Sequence, residues 1–168
     1  MARFRVIPER SQLWAEARSS LHPINVQTSG LTGEVEAEIV DGAARLGAPF
    51  KIEIEADKLK SGNGLVDGEL ARRLETRKFP RVTGAVREVQ ALPAAGRWRL
   101  AGELTLHGVG KPNDVEVGVK LLDDKTIEIE GEKTIDMRDH GLTPPKFLVF
   151  KVHPDVKVRA RLVAVRID

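Results

Sequence analysis

Apolar and polar residues alternate one by one through most of the chain. Residues 34–40 read EVEAEIV and residues 50–57 read FKIEIEAD. Successive side chains of a β-strand point to opposite faces, so this period of two predicts strands with one face in a core and the other, rich in glutamate, in water. Further segments with the same period lie at 12–19, 81–92, 98–106, 115–121, 126–131, 147–152 and 156–167.

One segment departs from the period of two. In 67–80, DGELARRLETRKFP, Leu70 and Leu74 lie four residues apart, a spacing that places both on one face of a helix. Asp67 is the predicted N-cap, and Pro80 prevents the helix from continuing. Elsewhere, turn residues separate short strands at intervals near ten residues. The pattern therefore predicts an all-β barrel or sandwich with one short helix in a long connection.

The segment 102–112, GELTLHGVGKP, ends a predicted strand with two glycines, a lysine and a proline. A phosphate-binding P-loop needs a serine or threonine after the lysine, where this chain has Pro112. A dinucleotide-binding turn would lead into a helix, whereas the next segment is another strand. The segment is thus predicted to be a hairpin turn in which Gly108 and Gly110 adopt left-handed conformations and Pro112 ends the turn.

Composition and charge narrow the class of function. The chain of 168 residues has the size of one domain, predicted to span 1–168, and its 27 Lys and Arg nearly balance 25 Asp and Glu. This near-balance predicts no nucleic-acid partner. The absence of cysteine excludes disulfides and thiolate chemistry. Because neither a signal peptide nor an apolar run of roughly 20 residues is found, the prediction is a cytoplasmic protein without stable membrane insertion.

Candidate catalytic and metal-binding residues are sparse. The four histidines are His22, His107, His140 and His153, all separated by more than ten residues, so their spacing predicts neither a metal site nor a cofactor. A hydrolase-type enzyme would use His22 or His140, with the neighbouring Asp139 in an acid–base pair. The chain is predicted not to be an enzyme. A further alternative is a ligand-free, stress-associated interaction protein whose barrel is filled by its own side chains.

Four motifs occur in an order typical of one family. They are SQLWAEARSSLHPINVQTSGLTGEV at 11–35, LKSGNGLVDGELARRLETRKFP at 59–80, WRLAGELTLHGVGKP at 98–112 and IDMRDHGLTPPKF at 135–147. On these motifs the chain resembles the YceI-like proteins over nearly its whole length. The resemblance implies an eight-stranded antiparallel lipocalin-like barrel, in agreement with the strand count. It also implies a homodimer, for which Val163, Val165 and Ile167 are candidate contacts.

The better understood YceI-like proteins bind a long polyisoprenoid inside the barrel, and the same function is expected here. The prediction is binding, carriage or storage of a polyisoprenoid or similar lipid, because many inward positions carry small apolar residues that leave volume in a barrel of this size. A polar head group would lie at the mouth, with Arg72, Arg73, Arg77 and Lys111 as candidate contacts. The predicted apolar lining comprises Leu13, Ala15, Ala17, Val35, Ala37, Ile39, Phe50, Ile52, Ile54, Trp98, Leu100, Leu104, Leu106, Val117, Val119, Val158 and Leu162.

Overall fold

A computed structural model describes residues 1–144, 146–147 and 150–168 of the chain. Within these residues, β-strands are joined by short connections, by the helix α1 (Gly64–Leu74) and by the 3₁₀ turns Pro8–Arg10, Ala56–Lys58 and Met137–His140. The strands are β1 (Ala2–Val6), β2 (Gln12–Ser19), β3 (Ile24–Thr28), β4 (Leu31–Val40), β5 (Ala43–Leu46), β6 (Phe50–Glu55), β7 (Arg81–Ala91), β8 (Arg97–Leu106), β9 (Val109–Asp123), β10 (Thr126–Asp136), β11 (Lys146–Phe147) and β12 (Phe150–Arg166).

The strands form a closed ring. Hydrogen-bonded neighbours follow the order β1, β4, β6, β7, β8, β9, β10 and β12, and pairing of β12 with β1 closes the circle. Each of these pairs is antiparallel. Beyond the turn Pro8–Arg10, β2 pairs with the earlier part of β12 and carries β3 on its other edge. The predicted eight-stranded antiparallel barrel is therefore confirmed.

Buried side chains form two clusters at different levels of the barrel. The closed core lies around Phe4, Val35, Leu46 and Ile127, each at most 2% exposed. The helix-end cluster consists of Ala56, Leu74, Met137, Leu142 and Val152. Alternation along the strands produces both clusters, because every second side chain points inward.

Helix α1 begins earlier than the sequence predicts. Its N-cap is Asn63, whose side-chain oxygen accepts hydrogen bonds from the backbone N–H groups of Leu65 (3.0 Å) and Val66 (3.2 Å). Asp67, the predicted cap, instead accepts hydrogen bonds from the backbone and hydroxyl of Ser61 at 2.6 and 2.7 Å. The hydrogen bond from the Ser61 backbone holds the pKa of Asp67 below its usual value. Glu75 ends the helix in a left-handed conformation.

The hairpin between β8 and β9 is tighter than predicted. The residues with positive φ are His107 (56°) and Gly108 (70°), and Leu106 pairs directly with Val109. This two-residue connection with both φ values positive corresponds to the type I′ turns that suit the twist of antiparallel strands. Gly110 therefore lies in β9 rather than in the turn, and Pro112 does not end it but pairs with Glu103 within the strand.

The C-terminal strand also differs from its prediction. Segments 147–152 and 156–167 were separate in the pattern, but β12 continues from Phe150 past Pro154 to Arg166. Pro154 is accommodated where the register between β12 and β2 shifts, between Val152 and Val156, since a bulge tolerates a missing N–H. Residues 148 and 149 of the predicted segment lie outside the described residues. Among those described, no helix is long and apolar enough to cross a membrane.

Candidate ligand-binding cavity

A cavity of about 410 Å³ occupies the barrel between the closed core and the helix-end cluster. An engineered cavity of about 150 Å³ in a protein core is already large enough to hold benzene. The cavity is therefore far larger than a packing defect, and it falls within the range of about 300–1,000 Å³ typical of small-molecule sites.

Small residues at inward positions create this space. Gly84 pairs with Ile52 on β6 and Leu104 on β8, and all three line the cavity. A Cβ atom built on Gly84 would have no heavy atom within 4 Å, so the missing side chain leaves open volume. Other inward residues without a large side chain are Ala15, Ala17 and Ala160.

Helix α1 forms part of the cavity wall. Val66, Leu70 and Leu74 follow one another at intervals of four residues, and all three line the cavity. Leu65, on another face of the helix, is 74% exposed. The helix therefore contributes an apolar stripe to the interior, a role that the spacing of Leu70 and Leu74 indicates but that sequence reasoning did not assign.

Most of the predicted lining residues face the cavity. Five do not: Val35, Ala37 and Val119 lie in the closed core, and Ile39 and Trp98 pack against it. At that level of the barrel, Phe4 and Leu46 fill the interior, so inward side chains meet one another rather than open space. The predicted residues that line the cavity are Leu13, Ala15, Ala17, Phe50, Ile52, Ile54, Leu100, Leu104, Leu106, Val117, Val158 and Leu162.

The sequence reasoning missed lining residues from β3 and from the late turns. Ile24 and Val26 alternate with polar residues in the short strand β3, so the period of two in this segment indicates that both side chains point inward. Met137 and Leu142 follow β10 in a 3₁₀ turn and loop, where no periodicity marks an inward side chain. Only the closure of the barrel brings them to the cavity.

The four predicted head-group contacts are not brought together. Arg73 lines the cavity, whereas Arg72, Arg77 and Lys111 are exposed and lie outside its described lining. Arg72 and Arg73 both donate to Glu69, each with a shortest distance of 2.8 Å. Hydrogen bonds from Arg73 and then Arg72 hold the pKa of Glu69 below its usual value. Glu69 thus offsets part of the positive charge of Arg72 and Arg73 within the helix itself.

The histidines considered for catalysis have structural contacts. His140 is 3% exposed, and its Nδ1–H donates to the Val109 carbonyl oxygen at 2.8 Å. His22 is exposed, and its Nδ1 lies 3.0 Å from the Pro23 carbonyl oxygen. The described cavity lining contains no histidine, serine or cysteine. No group of three or more His, Cys, Asp or Glu side chains suited to a metal ion occurs in the described part of the chain.

Comparison with known proteins gives the same fold. The chain superposes on Burkholderia cenocepacia BcnA with a TM-score of 0.80 at 16% identity, covering 95% of this chain and 99% of the other. A polyisoprenoid-binding domain from Saccharophagus degradans, implicated in plant cell wall breakdown, gives 0.76 at 15% identity and covers 99% and 100%. A Campylobacter jejuni YCEI protein gives 0.62 at 17% identity and covers 80% of both chains.

Sequence comparison gives the family directly. No protein of curated function matches the sequence. The family model for the YceI-like domain matches residues 4–164, which is nearly the whole chain. The match includes the hairpin, the helix-bearing connection and the late turn from which the resemblance was inferred. The chain therefore belongs to the YceI-like family.

Proposed function

We propose that this protein binds a long apolar lipid of the polyisoprenoid class in its barrel cavity, and carries or stores it without chemical change. The observation that carries this proposal is the apolar cavity of about 410 Å³ inside the barrel, which Gly84 and alanines at inward positions leave open. The polyisoprenoid-binding domain from Saccharophagus degradans, which has the same fold, supports the choice of ligand class.

Burial of the chain supplies the free energy of binding. Each buried methylene contributes about 0.8 kcal/mol, so a five-carbon prenyl unit contributes about 4 kcal/mol before costs. Three buried units give about 12 kcal/mol, against an association cost of roughly 4–15 kcal/mol. A short chain would bind weakly, whereas each additional buried unit adds affinity. This dependence on length favours a polyisoprenoid over a small apolar molecule.

The same cavity favours lipid binding over the two alternatives. A ligand-free interaction protein would fill the barrel with its own side chains, but Gly84 faces open space. A hydrolase that acts through His22 or His140 needs one of these side chains at the substrate, and neither belongs to the described lining. Binding without catalysis is therefore the function that this cavity supports best.

The proposed lipid binding can be tested with a substitution that fills part of the cavity with a side chain. Gly84→Leu places a side chain where an added Cβ meets nothing within 4 Å, so the barrel should fold with unchanged or higher stability. We expect affinity for geranylgeraniol, measured by isothermal titration calorimetry, to fall at least tenfold. The matched control is Gly68→Leu on the exposed face of α1, where an added Cβ also meets nothing, and its affinity should stay within twofold.

Two outcomes would contradict the proposal. One is a Gly84→Leu variant that binds geranylgeraniol as tightly as the unmodified protein. The other is a protein that shows no saturable binding of prenyl alcohols and, when purified from its own host, carries no lipid detectable by native mass spectrometry.

Three further expectations concern the assembly, location and partners of the protein. Val163, a candidate dimer contact, is fully buried, so it cannot contribute to an interface, while Ile167 is 38% exposed. The burial of Val163 removes one of the three candidate contacts on which the dimer was argued. Homodimerisation, the cytoplasmic location and the absence of a nucleic-acid partner stay predictions.

A further inference from the structure

The barrel wall is interrupted between β9 and β10. These strands pair from Asp123 and Thr126 as far as Val117 and Gly131, and no pairing between them continues in their described residues beyond that point. From there, the earlier part of β9 continues to pair with β8, and the later part of β10 continues to pair with β12. We call the opening between residues 109–116 and 132–136 the slit.

The slit is held at both ends. At one end, a Cβ built on Gly131 would lie 2.8 Å from a Val117 side-chain carbon, so β9 and β10 are still in close contact there. At the other end, the His140 ring donates to the Val109 carbonyl oxygen at 2.8 Å and fixes the start of β9 to the 3₁₀ turn Met137–His140. The opening therefore has defined limits within the wall.

The slit leads into the cavity. Asn113 and Val115 on β9 and Lys133 and Ile135 on β10 border it, and all four line the cavity. One ion pair crosses it, from Lys133 Nζ to Asp114 Oδ1 at 3.4 Å, with the two side chains 41% and 60% exposed. A pair this exposed is worth at most about 1 kcal/mol, so it closes the slit only weakly.

A long lipid needs such an exit, because the cavity can hold only part of its chain. Scaling from an engineered cavity of about 150 Å³ that holds the six carbons of benzene, 410 Å³ accommodates about 16 carbons, or roughly three prenyl units. Packed clusters lie at both ends of the cavity. A longer chain must therefore leave through the wall. Among the described residues, two interruptions border the cavity: the slit, and the outer edge of β3, whose Ile24 and Val26 also line the cavity. The slit is favoured for a polar end because the polar lining residues Asn113 and Lys133 border it, whereas Ile24 and Val26 are apolar.

The charges of the lining are already balanced. Arg73 pairs with Glu69 (2.8 Å) and Lys133 with Asp114 (3.4 Å). The two acidic lining residues are also paired, Glu103 with Arg87 (3.7 Å) and Glu132 with Lys157 (3.1 Å). A diphosphate at either cation would also meet the carboxylate paired with it, and the lining holds Glu103 and Glu132 besides, whereas a neutral group that accepts hydrogen bonds is not repelled by them.

We propose that the polar end of a bound lipid emerges through the slit between β9 and β10, and that this end is a neutral hydrogen-bond acceptor such as an alcohol. Asn113 Nδ2 and Lys133 Nζ are its donors. This inference rests on the proposed lipid binding, and adds to it the exit route and the chemical class of the head group.

Site-specific alkylation tests the route, because the chain has no cysteine of its own. In separate variants, Asn113→Cys reports on the slit, Arg73→Cys on the helix end, and Lys120→Cys, exposed on β9 where that strand still pairs with β10, is a matched control. We expect saturating geranylgeraniol to slow iodoacetamide labelling of Asn113→Cys at least tenfold and of Lys120→Cys less than twofold. Labelling of Arg73→Cys should slow less than that of Asn113→Cys.

Head-group chemistry is tested on the unmodified protein with two ligands of equal chain length. Farnesol should bind at least tenfold more tightly than farnesyl diphosphate, and its affinity should change less than twofold between 50 and 500 mM salt, in roughly the range over which exposed charges become screened. Equal or tighter binding of the diphosphate would overturn the neutral head group.

The outcomes separate this inference from the proposed function. If geranylgeraniol binds saturably but does not protect Asn113→Cys, or protects Arg73→Cys more strongly, the exit through the slit is wrong. The proposed lipid binding is not affected by that result. Absence of saturable binding by the unmodified protein overturns both.

Discussion

At the scale of single residues, the YceI-like motif around His107 and Gly108 connects the β8–β9 hairpin to the end of helix α1. The two ring nitrogens of His107 lie 2.5 Å from a Glu75 carboxylate oxygen and 3.2 Å from the His140 carbonyl oxygen. Phe79 contacts the His107 ring edge to face, with 5.0 Å between ring centroids. The hairpin, the helix terminus and the turn Met137–His140 are thereby held together beside the cavity.

Gly108 is required in this arrangement for two separate reasons. Its φ of +70° is unfavourable for other residues, and a Cβ at this position would lie 2.4 Å from the Phe79 ring. Gly108→Ala should therefore lose about 1–2 kcal/mol for the left-handed backbone and about a further 1–3 kcal/mol for the overpacked ring. The measurement is the free energy of unfolding in urea.

The control for Gly108→Ala is Gly62→Ala. Gly62 also has a positive φ, of 87°, but an added Cβ there meets nothing within 4 Å, so only the backbone cost should appear. If the two variants were equally stable, the contact between Gly108 and Phe79 would have no energetic role.

At the scale of elements, helix α1 combines weak internal stability with an essential position. It carries two glycines, at 64 and 68, yet its apolar stripe forms one wall of the cavity. Glycine in a helix interior costs about 1 kcal/mol relative to alanine, so caps and packing must hold the helix in place. The Asn63 cap and the burial of Leu74 supply these contacts at opposite ends.

Removal of the cap should therefore weaken the helix measurably. Asn63→Ala leaves the N–H groups of Leu65 and Val66 without their acceptor and should lower the free energy of unfolding by about 1 kcal/mol. Leu65→Ala, in the same turn and 74% exposed, should change it by less than about 0.5 kcal/mol. Urea unfolding of both variants is the measurement. If Asn63→Ala left the free energy of unfolding unchanged, Asn63 would not be the cap that stabilises the helix, and the predicted cap Asp67 would have to be reconsidered.

At the scale of the whole molecule, one barrel contains a packed region and an open one. Leu46 lies in the closed core and is 2% exposed, whereas Leu104 lines the cavity. Leu46→Ala should lower the free energy of unfolding by about 2–5 kcal/mol, because it removes contacts and creates a void. Leu104→Ala should cost less than half as much, since its side chain already borders empty space.

Thermal unfolding of these two variants, with and without geranylgeraniol, is the measurement for the whole barrel. Ligand should raise the Tm of Leu46→Ala by about as much as that of the unmodified protein, because Leu46 does not belong to the described lining of the cavity. Equal costs for the two substitutions without ligand would mean that the cavity is filled in solution.

The limits of sequence reasoning appear at Glu128. Alternation places its side chain outward, between the inward Ile127 and Ile129, and outward glutamates were expected in water. In the folded chain Glu128 is 5% exposed and pairs with Arg161 at 2.7 Å, while Arg161 also donates to the Arg10 carbonyl oxygen. The contact joins β10 and β12 to the N-terminal 3₁₀ turn, which a local pattern cannot anticipate.

The sequence by itself determined most of the longer strands, the presence of the helix and the inward faces of those strands, because these depend on periods of two and of about four residues. It did not predict the short strands β1, β3 and β5. Strand β2 has the predicted bounds 12–19, and the inward side chains of β6 include the predicted Phe50, Ile52 and Ile54. Tertiary structure alone decided where the interior is filled and where it is open. That division depends on which side chains meet inside the barrel: Phe4 and Leu46 belong to the closed core, whereas Gly84 faces the open cavity. These three residues lie on β1, β5 and β7, so only the closed ring brings them into one interior.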